Sequence, residues 1–89
     1  MTEDKKFRHE RAEAFRQQIA LVGERKEAIM ALVGKESFDE ADKQRITILL
    51  SRVSLAGGCE KEYALLINRL SKDDSLKAKA RDFYKRWNA

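Results

Sequence analysis

Apolar residues recur at alternating steps of three and four from Ile46 to Leu70, through Leu49, Val53, Ala56, Tyr63 and Ile67. The one missing rung falls on Glu60. Such spacing lines one face of a helix and calls for a partner helix against it. A looser stripe precedes it, formed by Phe7, Ala12, Phe15, Ile19, Val22, Ile29 and Val33. A shorter one follows at Leu76, Ala80, Phe83 and Trp87. The three stripes predict helices over about 3–33, 38–70 and 73–87. The expected fold is all-α, an antiparallel three-helix bundle of two long helices and a short C-terminal one in a single domain, 1–89.

The ends of these helices carry their own signals. Glu3 and Asp4 suit the positive end of a helix dipole, and Asp4 with Arg8 makes a favourable i,i+4 pair. Gly34 suits a C-terminal position in the left-handed region. Ser37-Phe38-Asp39-Glu40 reads as a capping box opening the second helix. Ser71 reads as the N-cap of the third, with Asp74 three residues on. Gly23, inside the first helix, costs about 1 kcal/mol relative to Ala and points to a close contact or a mild bend there.

The second helix is apolar on more than one side. Beside the ladder stand Ile48, Leu50, Leu55, Cys59 and Leu66. It should therefore be covered twice, either by both other helices or by a second copy of the chain in a homodimer. Gly57-Gly58 within it admits two readings. As a turn signal it would end one helix and let Glu60 and Glu62 open another. The heptad register survives the pair, however, and this favours a continuous helix kinked at Gly57-Gly58.

Composition narrows the picture. With 43% hydrophobic residues the chain exceeds what a disordered polypeptide carries, and the absence of Pro suits a mostly helical fold. No apolar run approaches the ~20 residues of a membrane span, and the opening residues have no secretory pattern. With a single cysteine, Cys59, no internal disulfide forms, and a cytoplasmic location is expected. The net charge of +4 is concentrated at the end: the last eighteen residues hold six basic and three acidic side chains.

That terminal helix holds the best functional candidates. Lys77, Arg81 and Lys85 stack at i, i+4 and i+8 beside Tyr84, while Lys79 and Arg86 fall on the opposite flank near Asp82. A cationic ridge beside an aromatic can grip phosphates or an acidic protein surface. The same ridge also arises where long cationic stems merely border a buried stripe. Trp87 suits either a core anchor or an interface hot spot. Asp39, Glu40 and Asp42 sit where a helix N-terminus favours negative charge, and no further ligand completes a metal set. Cys59 lacks a nearby base, since the sole histidine, His9, is at the far end of the chain.

No catalytic constellation, metal site or cofactor motif can be drawn, so a non-enzymatic role is expected. The leading expectation is a small cytoplasmic interaction protein, a regulator, inhibitor, antitoxin or adaptor of bacterial or phage type, binding another protein. The alternative is a nucleic-acid-binding regulator. In either case the contact residues would be Lys77, Arg81, Tyr84, Lys85 and Trp87.

Overall fold

The computed structural model describes residues 12–89, so the expectations placed on Glu3, Asp4, Phe7, Arg8 and His9 lie outside the described residues. The described part is all-helical, with five α-helices and no strand. Residues 12–18 form α1, followed by α2 (Val22–Val33), α3 (Glu40–Leu49), a 3-10 turn (Val53–Ala56), α4 (Glu60–Leu70) and α5 (Lys77–Trp87). No helix among the described residues is long and apolar enough to cross a membrane.

Both long helices of the expected bundle are therefore divided. The first breaks at residues 19–21, upstream of Gly23 and without a glycine or proline. Leu21 turns extended (φ −92°, ψ 137°), and the buried side chain of Arg25 folds back over the break. Its Nε donates to the Ile19 carbonyl (2.8 Å), and its terminal nitrogens donate to the carbonyls of Ala20 (3.3 Å) and Leu55 (2.8 Å). A helix C-terminus leaves carbonyls without intrahelical donors, and here one guanidinium supplies them. Nothing stands within 4 Å of where a Cβ on Gly23 would be, so that glycine marks neither a close contact nor the bend.

The break also resets the buried face. Arg25, Ile29 and Leu32 point inward in α2, whereas Val22 is exposed and Val33 half-buried. Gly34 does cap α2, but with right-handed backbone (φ −78°) rather than left-handed. The capping box of the next helix lies two residues beyond the Ser37 expectation: Asp39 Oδ1 accepts from the Asp42 amide (2.8 Å), and Asp42 Oδ2 accepts from the Asp39 amide (3.1 Å).

The second long helix ends at Leu49. Arg52 is extended (φ −140°, ψ 130°), the 3-10 turn follows, and Gly58 adopts φ +80°. The glycine pair thus ends a turn instead of kinking a helix. Gly58 is required twice over, because its backbone is left-handed and a Cβ there would meet the Val22 methyls at 3.3–3.5 Å. Most of the ladder is still buried: Ile46, Leu49, Ala56, Tyr63 and Leu70 are in the core, supplied by three separate elements, while Val53 and Ile67 are half-buried against it.

The helix directions differ from the expected bundle. The Cys59 thiol, just before α4, lies 3.8 Å from the Val22 carbonyl at the start of α2. Arg69, at the end of α4, donates to the carbonyls of Lys35 (3.1 Å) and Glu36 (2.9 Å), just past the end of α2. Hence α2 and α4 run parallel. Arg69 also stacks its guanidinium 4.5 Å from the Phe38 ring centroid, fixing the α2–α3 connection.

Candidate functional site

The terminal helix is positioned from both ends. Asp73, rather than Ser71, organises its approach: Asp73 Oδ1 accepts from the Ser75 amide (2.9 Å), the Ser75 hydroxyl (2.6 Å) and the Leu76 amide (3.1 Å). The hydrogen bond from Ser75, joined by those backbone amides, holds the Asp73 carboxyl below its ordinary value. Ser71 instead closes α4, its hydroxyl donating to the Asn68 carbonyl.

The buried stripe of α5 follows the expected period. Leu76, Ala80 and Phe83 are in the core and Trp87 is half-buried against it. Phe83 stacks on Tyr63 with ring centroids 5.3 Å apart, and Trp87 meets Tyr63 edge-on at 6.3 Å and Phe83 at 6.0 Å. Burial pushes the Tyr63 phenol up, so it remains protonated and donates to the Leu49 carbonyl (2.6 Å). This aromatic group joins the end of α3 to α4 and α5. Trp87 belongs to it and stands apart from the cationic ridge with which the sequence grouped it.

The remaining side chains of α5 divide into two flanks with different work. On one flank Lys79 Nζ donates to the Thr47 hydroxyl (3.1 Å), and Arg86 donates to the Leu50 carbonyl (3.3 Å) while pairing with Asp82 (3.3 Å). These contacts hold α5 against α3. On the other flank Lys77, Arg81 and Lys85 are exposed and, being one turn apart, repeat at about 6 Å along the axis. Lys77 pairs with the exposed Asp74 (3.4 Å). Among the described residues, Arg81 and Lys85 have no carboxylate partner. Tyr84, 53% exposed, lies one turn from Arg81 on the side of the ridge away from Lys85.

Lys77, Arg81 and Tyr84 form one wall of a groove of about 380 Å³ between α4 and α5. Ala64, Asn68 and Ser71 form the other wall, with Ile67 and Ala80 also lining it. The sequence did not single out the α4 wall. Its signal, weak but present, is the run of small or uncharged residues at i, i+4 and i+7 from Ala64. A larger cavity, about 630 Å³, is elsewhere, between α1 and α3. Its lining mixes Glu40 and Arg45 with Gln18, Gln44 and apolar residues, and presents no charge of one sign.

The other candidates are occupied structurally. Asp42 is 1% exposed, and Lys35 Nζ reaches both of its oxygens at 2.8 Å, with Arg45 at 3.4 Å. Burial by itself would raise the Asp42 carboxyl. The Lys35 ammonium, the Asp39 amide and Arg45 together outweigh it and hold the group below its ordinary value. Cys59 is fully buried at the junction of α2 and α4. Comparison with known proteins adds no identity to this geometry: no family model matches the chain, and neither a curated protein nor a solved structure matches it.

Proposed function

We propose that this chain is a non-enzymatic regulator, an inhibitor, antitoxin or adaptor, that binds another protein through the outward flank of α5. The observation that carries this reading is the division of labour on that helix. Lys79 and Arg86 are engaged in holding the fold, whereas Arg81 and Lys85 have no carboxylate partner among the described residues and stand in a row bordered by an exposed tyrosine. Exposed tyrosine beside arginine is a pairing that protein interfaces favour, with lysine suited to the rim.

The test is capture of partners from the native source by the wild type and by the triple variant Lys77→Glu, Arg81→Glu, Lys85→Glu. A partner retained by the first and lost by the second, with unchanged circular dichroism, is the expected result. An identical set of partners with both proteins overturns the reading. Cys59→Ser should leave the captured set unchanged.

Nucleic acid is the second reading, favoured by three cations at one-turn spacing beside a tyrosine that could stack on a base. Retardation of RNA or DNA at low salt, weakening steeply as salt rises and abolished by the triple variant, would establish it. Absence of retardation removes it. Self-association has less support than the sequence offered, because on the second apolar side Leu50, Cys59 and Leu66 find their cover within one chain, with Ile48 and Leu55 half-buried. Light scattering over a range of concentrations should return a monomer.

A further inference from the structure

The groove beside the cationic flank narrows the kind of partner, and this inference rests on the protein-binding reading above. The α4–α5 pair is antiparallel: a short connection joins the end of α4 to the start of α5, and Tyr63 near the start of α4 meets Phe83 and Trp87 near the end of α5. The eight residues from Ala64 to Ser71, the last capping α4, span about 10 Å, close to two helical turns. Between two antiparallel helices of that length, the shape that fits is a third helix lying in the depression.

The chemistry of the two walls is unequal. All the charge of the lining lies on the α5 edge, in Lys77 and Arg81, and the exposed Lys85 continues the row one turn past Arg81, outside the lining itself. The α4 wall is short and uncharged, and the interior is made of Ile67 and Ala80. No carboxylate lines the groove. An occupant that complements both walls carries acidic side chains along one flank and an apolar side chain on the adjoining face.

The spacing sets its register. Carboxylates at i, i+4 and i+8 on a helix repeat at the same 6 Å, roughly, as the three cations opposite them. Exposed ion pairs contribute little affinity individually and are screened by salt, so they steer and align the partner. The apolar contact with Ala64, Ile67 and the Tyr84 ring supplies the rest. A nucleic acid would use this surface less well, because a single exposed ring provides only one stacking platform, with Phe83 and Trp87 turned into the aromatic cluster.

We infer that the α4–α5 groove takes an acidic amphipathic helix of a protein partner, its carboxylates paired with Lys77, Arg81 and Lys85 and an apolar side chain seated against Ala64, Ile67 and Tyr84.

The probe is a fluorescein-labelled helical peptide with Glu at three positions four apart and Leu on the neighbouring face. It is titrated against the full chain at low salt, beside a scrambled peptide of the same composition. The designed peptide should bind at least tenfold more tightly than the scramble, with amide shifts centred on Ala64, Asn68, Arg81 and Tyr84. Ala64→Trp, which fills the groove and leaves every cation in place, should weaken binding at least tenfold. A thermal melt checks that this variant folds, and Asn68→Trp serves the same purpose from the middle of the wall.

Equal binding of the two peptides overturns the inference, as does a groove-filling variant that folds and binds normally. An oligonucleotide that displaces the peptide and shifts the same amides more strongly overturns it in favour of the nucleic-acid reading. If the groove tests fail while the charge-reversed triple variant still loses a natural partner, the groove is wrong and the protein-binding reading stands. If charge reversal also has no effect on capture, both fall.

Discussion

At residues 71–76 the chain turns out of a helix using groups that are neighbours in sequence, whereas at residues 19–21 it uses an arginine whose third acceptor is thirty positions away. In the first case Asp73 satisfies two amides and a hydroxyl within three residues of itself. In the second, Arg25 bridges the end of α1 to the carbonyl of Leu55 in the 3-10 turn, so one side chain closes two helix breaks at once. A local cap fixes only its own turn. A long-range staple makes two breaks depend on each other, and on the tertiary fold that brings them together.

The largest expected effect follows from that difference. Arg25→Met keeps the apolar stem and removes every donor, leaving the Ile19, Ala20 and Leu55 carbonyls without their partner. The loss should be about 3 kcal/mol, the sum of modest penalties for partly buried acceptors. For a domain of this size it lowers the melting temperature by roughly 15 °C, read by circular dichroism. A drop of only a few degrees would mean that packing alone holds the corner and that the comparison with Asp73 carries no weight.

The same contrast explains what the sequence could disclose. The stripe of α5 was legible because Leu76, Ala80, Phe83 and Trp87 pack by helical period alone, and the outward ridge of Lys77, Arg81 and Lys85 is the complement of that stripe. The break at Ile19–Leu21 was not legible, since it contains neither glycine nor proline and its stabilising donor is a tertiary contact. Arg69 and Arg86 act likewise, reaching carbonyls 34 and 36 positions away.

The Ile46–Leu70 register misled for a different reason. Five of its seven residues reach the core although the chain turns between them, so persistence of the period did not report continuity, and the turn signal of Gly57-Gly58 was the better guide. The α4 wall of the groove escaped notice because Ala64, Asn68 and Ser71 carry no chemistry until α5 is laid beside them.

Asp42 lies between the two extremes, with a local capping partner and a second one, Lys35, across the α2–α3 connection. Asp42→Asn retains an acceptor for the Asp39 amide and loses the charge-assisted contact, at about 1.5 kcal/mol. The pH response separates this from simple capping. Because the folded carboxyl is held below its ordinary value, its contribution is complete above about pH 4 and drains as pH falls toward the folded-state value. Melts of the wild type from pH 6 downward should therefore lose stability in that acid window, and Asp42→Asn should show a shallower decline. Parallel curves would exclude Asp42 as a source of the acid sensitivity.

Gly58→Ala probes the joint where Gly58 and Cys59 meet Val22 at the start of α2. The substitution forces a Cβ into left-handed backbone and against the Val22 methyls, for a loss of about 1 kcal/mol. Gly23→Ala, at a site with open space and ordinary backbone, should be neutral or slightly stabilising. Equal effects at the two glycines would show that the joint between α2 and α4 is looser than its contacts imply.

Asp73→Ala is expected to be the mildest of the helix-end variants, because its three hydrogen bonds all lie within one turn, the two to Ser75 are exposed, and water can replace the acceptor lost there. The melting temperature should fall by far less than for Arg25→Met. Amide exchange should quicken at Ser75, Leu76 and Lys77 while the amides of Tyr63 and Phe83, packed in the aromatic cluster, keep their protection. Asp73→Asn, which preserves an acceptor, should restore most of the exchange protection at those three amides. Fraying confined to that turn would also loosen Lys77 at one end of the α4–α5 groove and leave Arg81 and Tyr84 in place. If instead protection collapsed along all of α5, the turn at Asp73 would be coupled to the aromatic cluster as tightly as Arg25 is to its two breaks, and the distinction between local cap and long-range staple would fail.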